Sequence, residues 1–78
     1  MVNKKPQYRH ALVNLGASDY SSPEVQVMSG KTIQGLLQNF HDDGYIVDQP
    51  VWCGKYDGSK EEGIPVYHTF LYHARLRD

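Results

Sequence analysis

Residues 29–32 have the sequence Ser-Gly-Lys-Thr and open a predicted helix. The end of a phosphate-binding P-loop has the same residue types in the same position before a helix. The full motif requires a glycine five residues before Gly30, and Val25 occupies that position. Without it the loop cannot wrap phosphates with its backbone N–H groups, so we expect no nucleotide hydrolysis. The first helical turn and Lys31 could still hold an anion, although an N-cap beside a solvated lysine is the simpler interpretation.

The histidines are the next candidates, because imidazoles bind metals and transfer protons. His68 and His73 are five residues apart in one predicted strand and therefore face opposite sides, whereas His10 and His73 could meet on one face. His41 is followed by two acidic residues, Asp42 and Asp43, at the end of the predicted helix. A zinc site needs three or four converging ligands, and no cysteine or paired acid joins these histidines by spacing. The sequence predicts no metal and no other cofactor.

Nucleophilic catalysis finds no support either. Cys53 has neutral neighbours and no activating group beside it, so we interpret it as a structural thiol. Ser18, Ser21 and Ser22 cluster in a predicted loop, but nothing places a histidine and a buried acid beside them. We therefore expect a protein that is not an enzyme.

The helix that positions these residues is the clearest predicted element. Ile33, Leu36, Leu37 and Phe40 have the spacing i, i+3, i+4, i+7, which puts them on one face of a helix over residues 32–42. Ser29 is the expected N-cap, and Gly44 suits the left-handed position after the helix. Acidic side chains crowd its C-terminal end, where the helix dipole disfavours them.

Alternating patterns predict strands over residues 8–15, 24–28 and 64–76, and a third strand in chain order that begins at 45–47. Pro50 interrupts that third strand and places it at an edge of the sheet, and residues 51–56 continue it. The fold class is α+β: a small, mainly antiparallel four-stranded sheet with one amphipathic helix on one face, in the order β-β-α-β-β. We assign residues 1–7 to a flexible N-terminal tail and 8–78 to a single domain. We expect Trp52 to cap the core under the hairpin, and the alternative is an exposed Trp52 that anchors a partner.

One helix covers only one face of such a sheet, so the other face must meet water, a partner or another copy of the chain. The alternation assigns eight residues to that open face: Tyr8, His10, Leu12, Tyr67, Thr69, Leu71, His73 and Arg75. This face has more aromatic side chains than is usual for a face that contacts only water, and more polar side chains than a buried core. The candidate partner-binding residues are Tyr8, His10, Tyr67, Thr69, His73 and Arg75, with the acidic helix end, Asp42 and Asp43.

Composition limits the classes of function. The chain has 78 residues, a net charge of −1, six tyrosines and one cysteine, so no intramolecular disulfide forms. These features, together with a polar N-terminus, predict a small cytoplasmic protein without a membrane span. Cations concentrate at the two ends of the chain and acids in the middle, although a near-neutral total gives no strong field towards nucleic acid.

The short length, single thiol, absent catalytic motifs, half-covered sheet and acidic patches resemble in type the small phage-encoded proteins that disable bacterial machinery. Anti-CRISPR proteins and inhibitors of host RNA polymerase are examples, and one such inhibitor has a comparable strand-strand-helix-strand order. No motif matches residue by residue, so the resemblance carries over no functional residue.

The sequence therefore favours a non-catalytic protein-binding module. The resemblance implies an inhibitor of a larger nucleic-acid-processing or defence complex in the host cytoplasm. Two alternatives stay open: single-stranded nucleic-acid binding through the open face, and an oligomeric small-molecule binder that captures a nucleotide. The same face or an edge strand also suits a homodimer.

Overall fold

The computed structural model describes residues 4–77, so the first three residues of the predicted tail lie outside it. It contains one helix and six strands, which we number in chain order. They are β1 (Tyr8–Gly16), β2 (Tyr20–Ser21), β3 (Gln26–Val27), α1 (Gly30–Asp42), β4 (Tyr45–Val47), β5 (Val51–Tyr56) and β6 (Tyr67–Leu76). The predicted α+β class, with one helix on a mainly antiparallel sheet, is confirmed.

Strand β6 is the centre of the main sheet. It pairs antiparallel with β1 along one edge, and β4 and β5 share its other edge one after the other. Residues 48–50 separate β4 from β5, which confirms the predicted interruption at Pro50. A bulge between Trp52 and Gly54 shifts the register of β5 and marks it as an edge strand.

The predicted strand over 24–28 is shorter than expected and lies outside the main sheet. β3 pairs with β2 in a small hairpin. A hydrogen bond from the Ser22 N–H to the Val25 carbonyl oxygen, at 2.9 Å, closes its turn. Met28 attaches this hairpin to β1: its N–H donates to Asn14 O, and its carbonyl accepts from Gly16 N–H. The main sheet still has four strands, because the strand around Pro50 divides into two.

The last strand begins at Tyr67 rather than at residue 64. Pro65 has no N–H to donate to a sheet, and the segment before it forms a turn closed by a bridge between Ser59 and Ile64. Gly58 shapes this turn with a φ of +85°. Val66, between this turn and β6, is 48% exposed.

Helix α1 begins two residues before its predicted start. Ser29 is the N-cap as expected, and its hydroxyl accepts from the N–H of Thr32 at 3.4 Å. Gly44 adopts a φ of +90° and bonds back to His41 O, which ends the helix. No helix in the described part of the chain is long and apolar enough to cross a membrane.

The core lies between α1 and one face of the main sheet. The helix contributes its predicted apolar face, with Ile33 and Phe40 buried and Leu36 and Leu37 packed beside them. The sheet contributes four further buried residues, which are Val13, Tyr45, Tyr72 and Ala74. Residues of the predicted tail join this unit, because Tyr45 Oη donates to Pro6 O at 2.7 Å and Leu76 N–H donates to Gln7 O.

Candidate functional site: the open face of the sheet

The register of β1 against β6 brings the predicted open-face residues together. Tyr8 lies opposite Arg75, His10 opposite His73, Leu12 opposite Leu71, Asn14 opposite Thr69, and Gly16 opposite Tyr67. Residues directly opposite each other in a sheet share a face, and the intervening residues, such as Val13 and Tyr72, are the buried ones. The side chains of these pairs therefore form one surface on the side away from α1.

An apolar row crosses the middle of the open face. It consists of Leu12, Leu71 and Val51, which stand side by side on β1, β6 and β5. Leu12 is 69% exposed and Val51 is 54% exposed, while Leu71 between them is half-buried. Single exposed apolar residues are ordinary, but a contiguous row across three strands is typical of a surface that another molecule covers.

His10 and His73 adjoin the apolar row on one side. Their ring centroids are 4.5 Å apart, and the rings meet edge to face at 81°. Leu76 N–H donates to Gln7 O, so by alternation His10 and His73 form a non-hydrogen-bonded pair, the class in which side chains approach most closely. Within residues 4–77 neither imidazole accepts or donates a hydrogen bond.

The other side of the apolar row carries polar and aromatic groups. The Thr69 hydroxyl donates to Asn14 Oδ1 at 2.9 Å, and the Asn14 amide donates to Gln26 O at 3.0 Å. Tyr67 stacks on Tyr56, with ring centroids 5.1 Å apart. The hydrogen bonds fix Thr69 and Asn14, and the stacked rings give this end of the face a rigid aromatic surface.

Charge is confined to the rim of the open face. Arg75 is the cation at one end, and its Nε lies 3.9 Å from Asp48 Oδ1. The rows of β1 and β6 from the histidine pair to Thr69 contain no lysine, arginine, aspartate or glutamate. A neutral apolar centre with a charged rim is the usual composition of a protein–protein contact surface.

The structure separates Asp42 and Asp43 from the other candidate residues. Both lie at the end of α1, behind the sheet, where the Arg9 guanidinium approaches Asp43 Oδ2 at 3.4 Å. Lys5 Nζ donates to the backbone carbonyl of Asp43 at 2.7 Å, and Gln38 donates to the Asp42 carboxylate at 2.8 Å. These cations offset the unfavourable position of two acids at a helix C-terminus.

The start of α1 is also already occupied by an anionic group. The Asp19 carboxylate accepts from the backbone N–H of Ser29 at 2.7 Å and from the Thr32 hydroxyl at 2.8 Å. These hydrogen bonds, that from Ser29 first, hold the pKa of the Asp19 carboxyl below its usual range. The N-terminus of α1, which the sequence suggested could hold an anion, is therefore occupied by a carboxylate of the chain itself.

The expected position of Trp52 as a cap on the core is wrong. Trp52 is 58% exposed, and its indole N–H donates to His68 Nδ1 at 3.1 Å instead of capping the core. Helix α1 packs mainly on β4 and β1, so it does not cover β5. Cys53 is exposed in the bulge. The predicted edge position near Pro50 was the sequence signal that could have indicated an exposed tryptophan.

Comparison with protein-family models, curated proteins and solved structures gives no match. Among residues 4–77, no group of three or more histidine, cysteine or acidic side chains is placed to hold a metal ion.

Proposed function

We propose that this chain is a non-catalytic protein-binding module, which docks on its partner through the open face. The observation that carries the proposal is the exposed apolar row of Leu12, Leu71 and Val51 in the centre of a neutral surface. Burying that row removes apolar area from water, at about 25 cal/mol for each Å².

The side chains around the row suit the same role. Tyr8 is 65% exposed, and tyrosine supplies a large contact area together with a hydroxyl that can bond at the edge of an interface. The sheet holds these groups in fixed rows, so little conformational entropy is lost when a partner binds. The proposed binding residues are Tyr8, His10, Leu12, Tyr67, Thr69, Leu71, His73 and Arg75.

The charge pattern favours a protein over a nucleic-acid strand. Phosphate contacts provide most of the affinity for nucleic acid, and they require several lysine or arginine side chains beside the stacking surface. The open face has the guanidinium of Arg75, and Asp48 lies 3.9 Å from it. We infer that protein side chains, rather than phosphates, meet this surface.

In its finer form, the proposal names a host nucleic-acid-processing or defence complex as the partner and the cytoplasm as the location. The resemblance to phage-encoded inhibitors motivates this form. The exposed acids Asp57, Glu61 and Glu62 in the β5–β6 turn also support it, since carboxylates can occupy a channel in which a partner binds phosphates.

Co-purification from native cells with matched charge variants tests the proposal. Leu12→Lys places a charge in the apolar row, whereas Gln34→Lys places the same charge on the exposed side of α1. We expect wild type and Gln34→Lys to recover the same stoichiometric partner. The amount of this partner recovered with Leu12→Lys should be at least about tenfold lower. Equal recovery with both variants would contradict the proposal.

A second variant tests the flanking residues. Replacing Tyr67 and His73 together by alanine should weaken recovery of the partner and leave folding nearly intact, because neither side chain belongs to the buried core. Circular dichroism of each purified variant provides the control for folding. If the double variant unfolds, the open face contributes to stability and its role as a free surface is wrong.

A further inference from the structure

We propose that two copies of this chain pair through the open face and that His10 and His73 of both copies together bind one divalent transition-metal ion such as Zn²⁺. This inference rests on the proposed function, that the open face binds a protein, and it names a second copy as that protein in place of the host complex of the finer form. The observation that starts it is the pair of unbonded imidazoles at the centre of that face.

The spacing of the two rings suits a shared ion. With zinc–nitrogen distances of about 2.0–2.1 Å, two imidazoles on one tetrahedral ion have ring centroids roughly 5 Å apart. His10 and His73 are 4.5 Å apart, so a small side-chain rotation brings one nitrogen of each ring onto the ion. The other two imidazoles already have partners, because His68 accepts from Trp52 and His41 lies 3.0 Å from Arg77.

One copy of the chain cannot complete this site. A stable zinc site needs three or four ligands, and no third histidine, cysteine or acid in residues 4–77 is placed to join the pair. A second copy supplies two further imidazoles. Facing sheets pack about 10 Å apart, which lets side chains from both sheets meet midway.

The open face is complementary to itself under two-fold symmetry. An axis that runs along the strands between β1 and β6 places His10 of one copy against His73 of the other. The same operation places Leu12 of one copy against Leu71 of the other, whereas Val51 of each copy lies beyond β1 of the other. No lysine, arginine, aspartate or glutamate of β1 and β6 lies between the histidine pair and Thr69, and Arg75 and Asp48 stay at the rim beside each other.

The area of the face explains why a metal would be needed. β1 pairs with β6 over nine residues, which at about 3.4 Å per residue gives a surface roughly 30 Å long and, over the two strands that the axis superposes, about 10 Å wide. Two such surfaces bury on the order of 600 Å², which is below the roughly 1,000 Å² expected of a specific protein interface. Metal coordination adds the affinity that this small contact area does not provide.

Sedimentation velocity of the purified full chain, first with a chelator and then with ZnCl₂, tests the inference. We expect zinc to tighten self-association at least about tenfold and calorimetry to give one ion for every two chains. Co²⁺ in place of zinc should produce the visible absorption bands of tetrahedral coordination.

Histidine variants provide the matched comparison. His10→Ala and His73→Ala should each abolish the effect of zinc, whereas His41→Ala removes one imidazole elsewhere and should leave the effect unchanged. An unchanged mass with zinc, or a zinc effect that His10→Ala does not alter, overturns the inference.

The proposed function can fail separately. If zinc leaves the chain monomeric while Leu12→Lys still loses a co-purifying protein, the second copy is the wrong occupant and the binding face stands. If Leu12→Lys alters neither self-association nor co-purification, both proposals are wrong.

Discussion

Neighbouring residues on β1 offer a direct comparison of the two faces of the sheet. Val13 is 3% exposed and packs against Ile33 and Tyr72, whereas Leu12 is 69% exposed on the open face. Val13→Ala removes two buried methyl groups, and at about 0.8 kcal/mol for each, with a cavity term added, we expect a loss of about 2–3 kcal/mol. Leu12→Ala removes more atoms, but most of them already contact water, so its expected loss is below about 1 kcal/mol.

Urea unfolding followed by far-UV circular dichroism measures both losses. A domain of this size has a stability of roughly 3–5 kcal/mol, so Val13→Ala should leave the chain close to its unfolding midpoint in buffer. With a slope of about 1 kcal/mol per molar urea, the midpoint should fall by roughly 2 M or more for Val13→Ala and by less than about 1 M for Leu12→Ala. The experiment is done with a chelator at low protein concentration, so that association does not contribute. Equal losses would refute the assignment of the two faces.

Three further substitutions test the contacts that hold the domain together. Tyr45→Phe removes the hydrogen bond to Pro6 O and should lower the unfolding free energy by about 1 kcal/mol in urea titrations. The pKa of Asp19 is lower in the folded state, so its carboxylate stabilises the fold above the ordinary pKa of 3.8, and this stabilisation is lost as pH falls through the folded-state pKa. The difference in urea midpoint between wild type and Asp19→Ala should therefore be smaller at about pH 3 than at about pH 6. Gly58→Ala combines a φ of +85° with a Cβ 2.6 Å from a carbonyl oxygen, so its loss in thermal unfolding should exceed about 1 kcal/mol and exceed that of Gly63→Ala, which meets open space.

Local patterns were sufficient to predict the helix, the pairing faces of β1 and β6, and the core side of each. The stripe from Ile33 to Phe40 identified the helix, Ser29 and Gly44 identified its ends, and the alternation in β1 and β6 placed His10 and His73 on one face. Each of these signals depends on residues close together in the chain, where the periods of helix and strand are fixed by backbone geometry.

Features that depend on distant residues could not be predicted in the same way. At about 1.5 Å per residue, the 13 residues of α1 span roughly 20 Å, whereas the chain extends over 50 Å, so the helix leaves β5 and Trp52 uncovered. The periodicity of a strand gives the face of a residue but does not show how far a helix reaches along it. The contacts of Asp19 and Asp43 likewise join segments that only the tertiary fold brings together.

We propose that the open face contacts another protein in the cell. The most direct test places the photoreactive residue p-benzoyl-phenylalanine at position 12, in the apolar row, and separately at position 34, on the exposed side of α1. Irradiation of living cells followed by mass spectrometry identifies what each position touches. We expect a defined protein adduct from position 12, either with a second copy or with another protein, and no corresponding adduct from position 34. Equal adducts from both positions, or none from position 12, would contradict it.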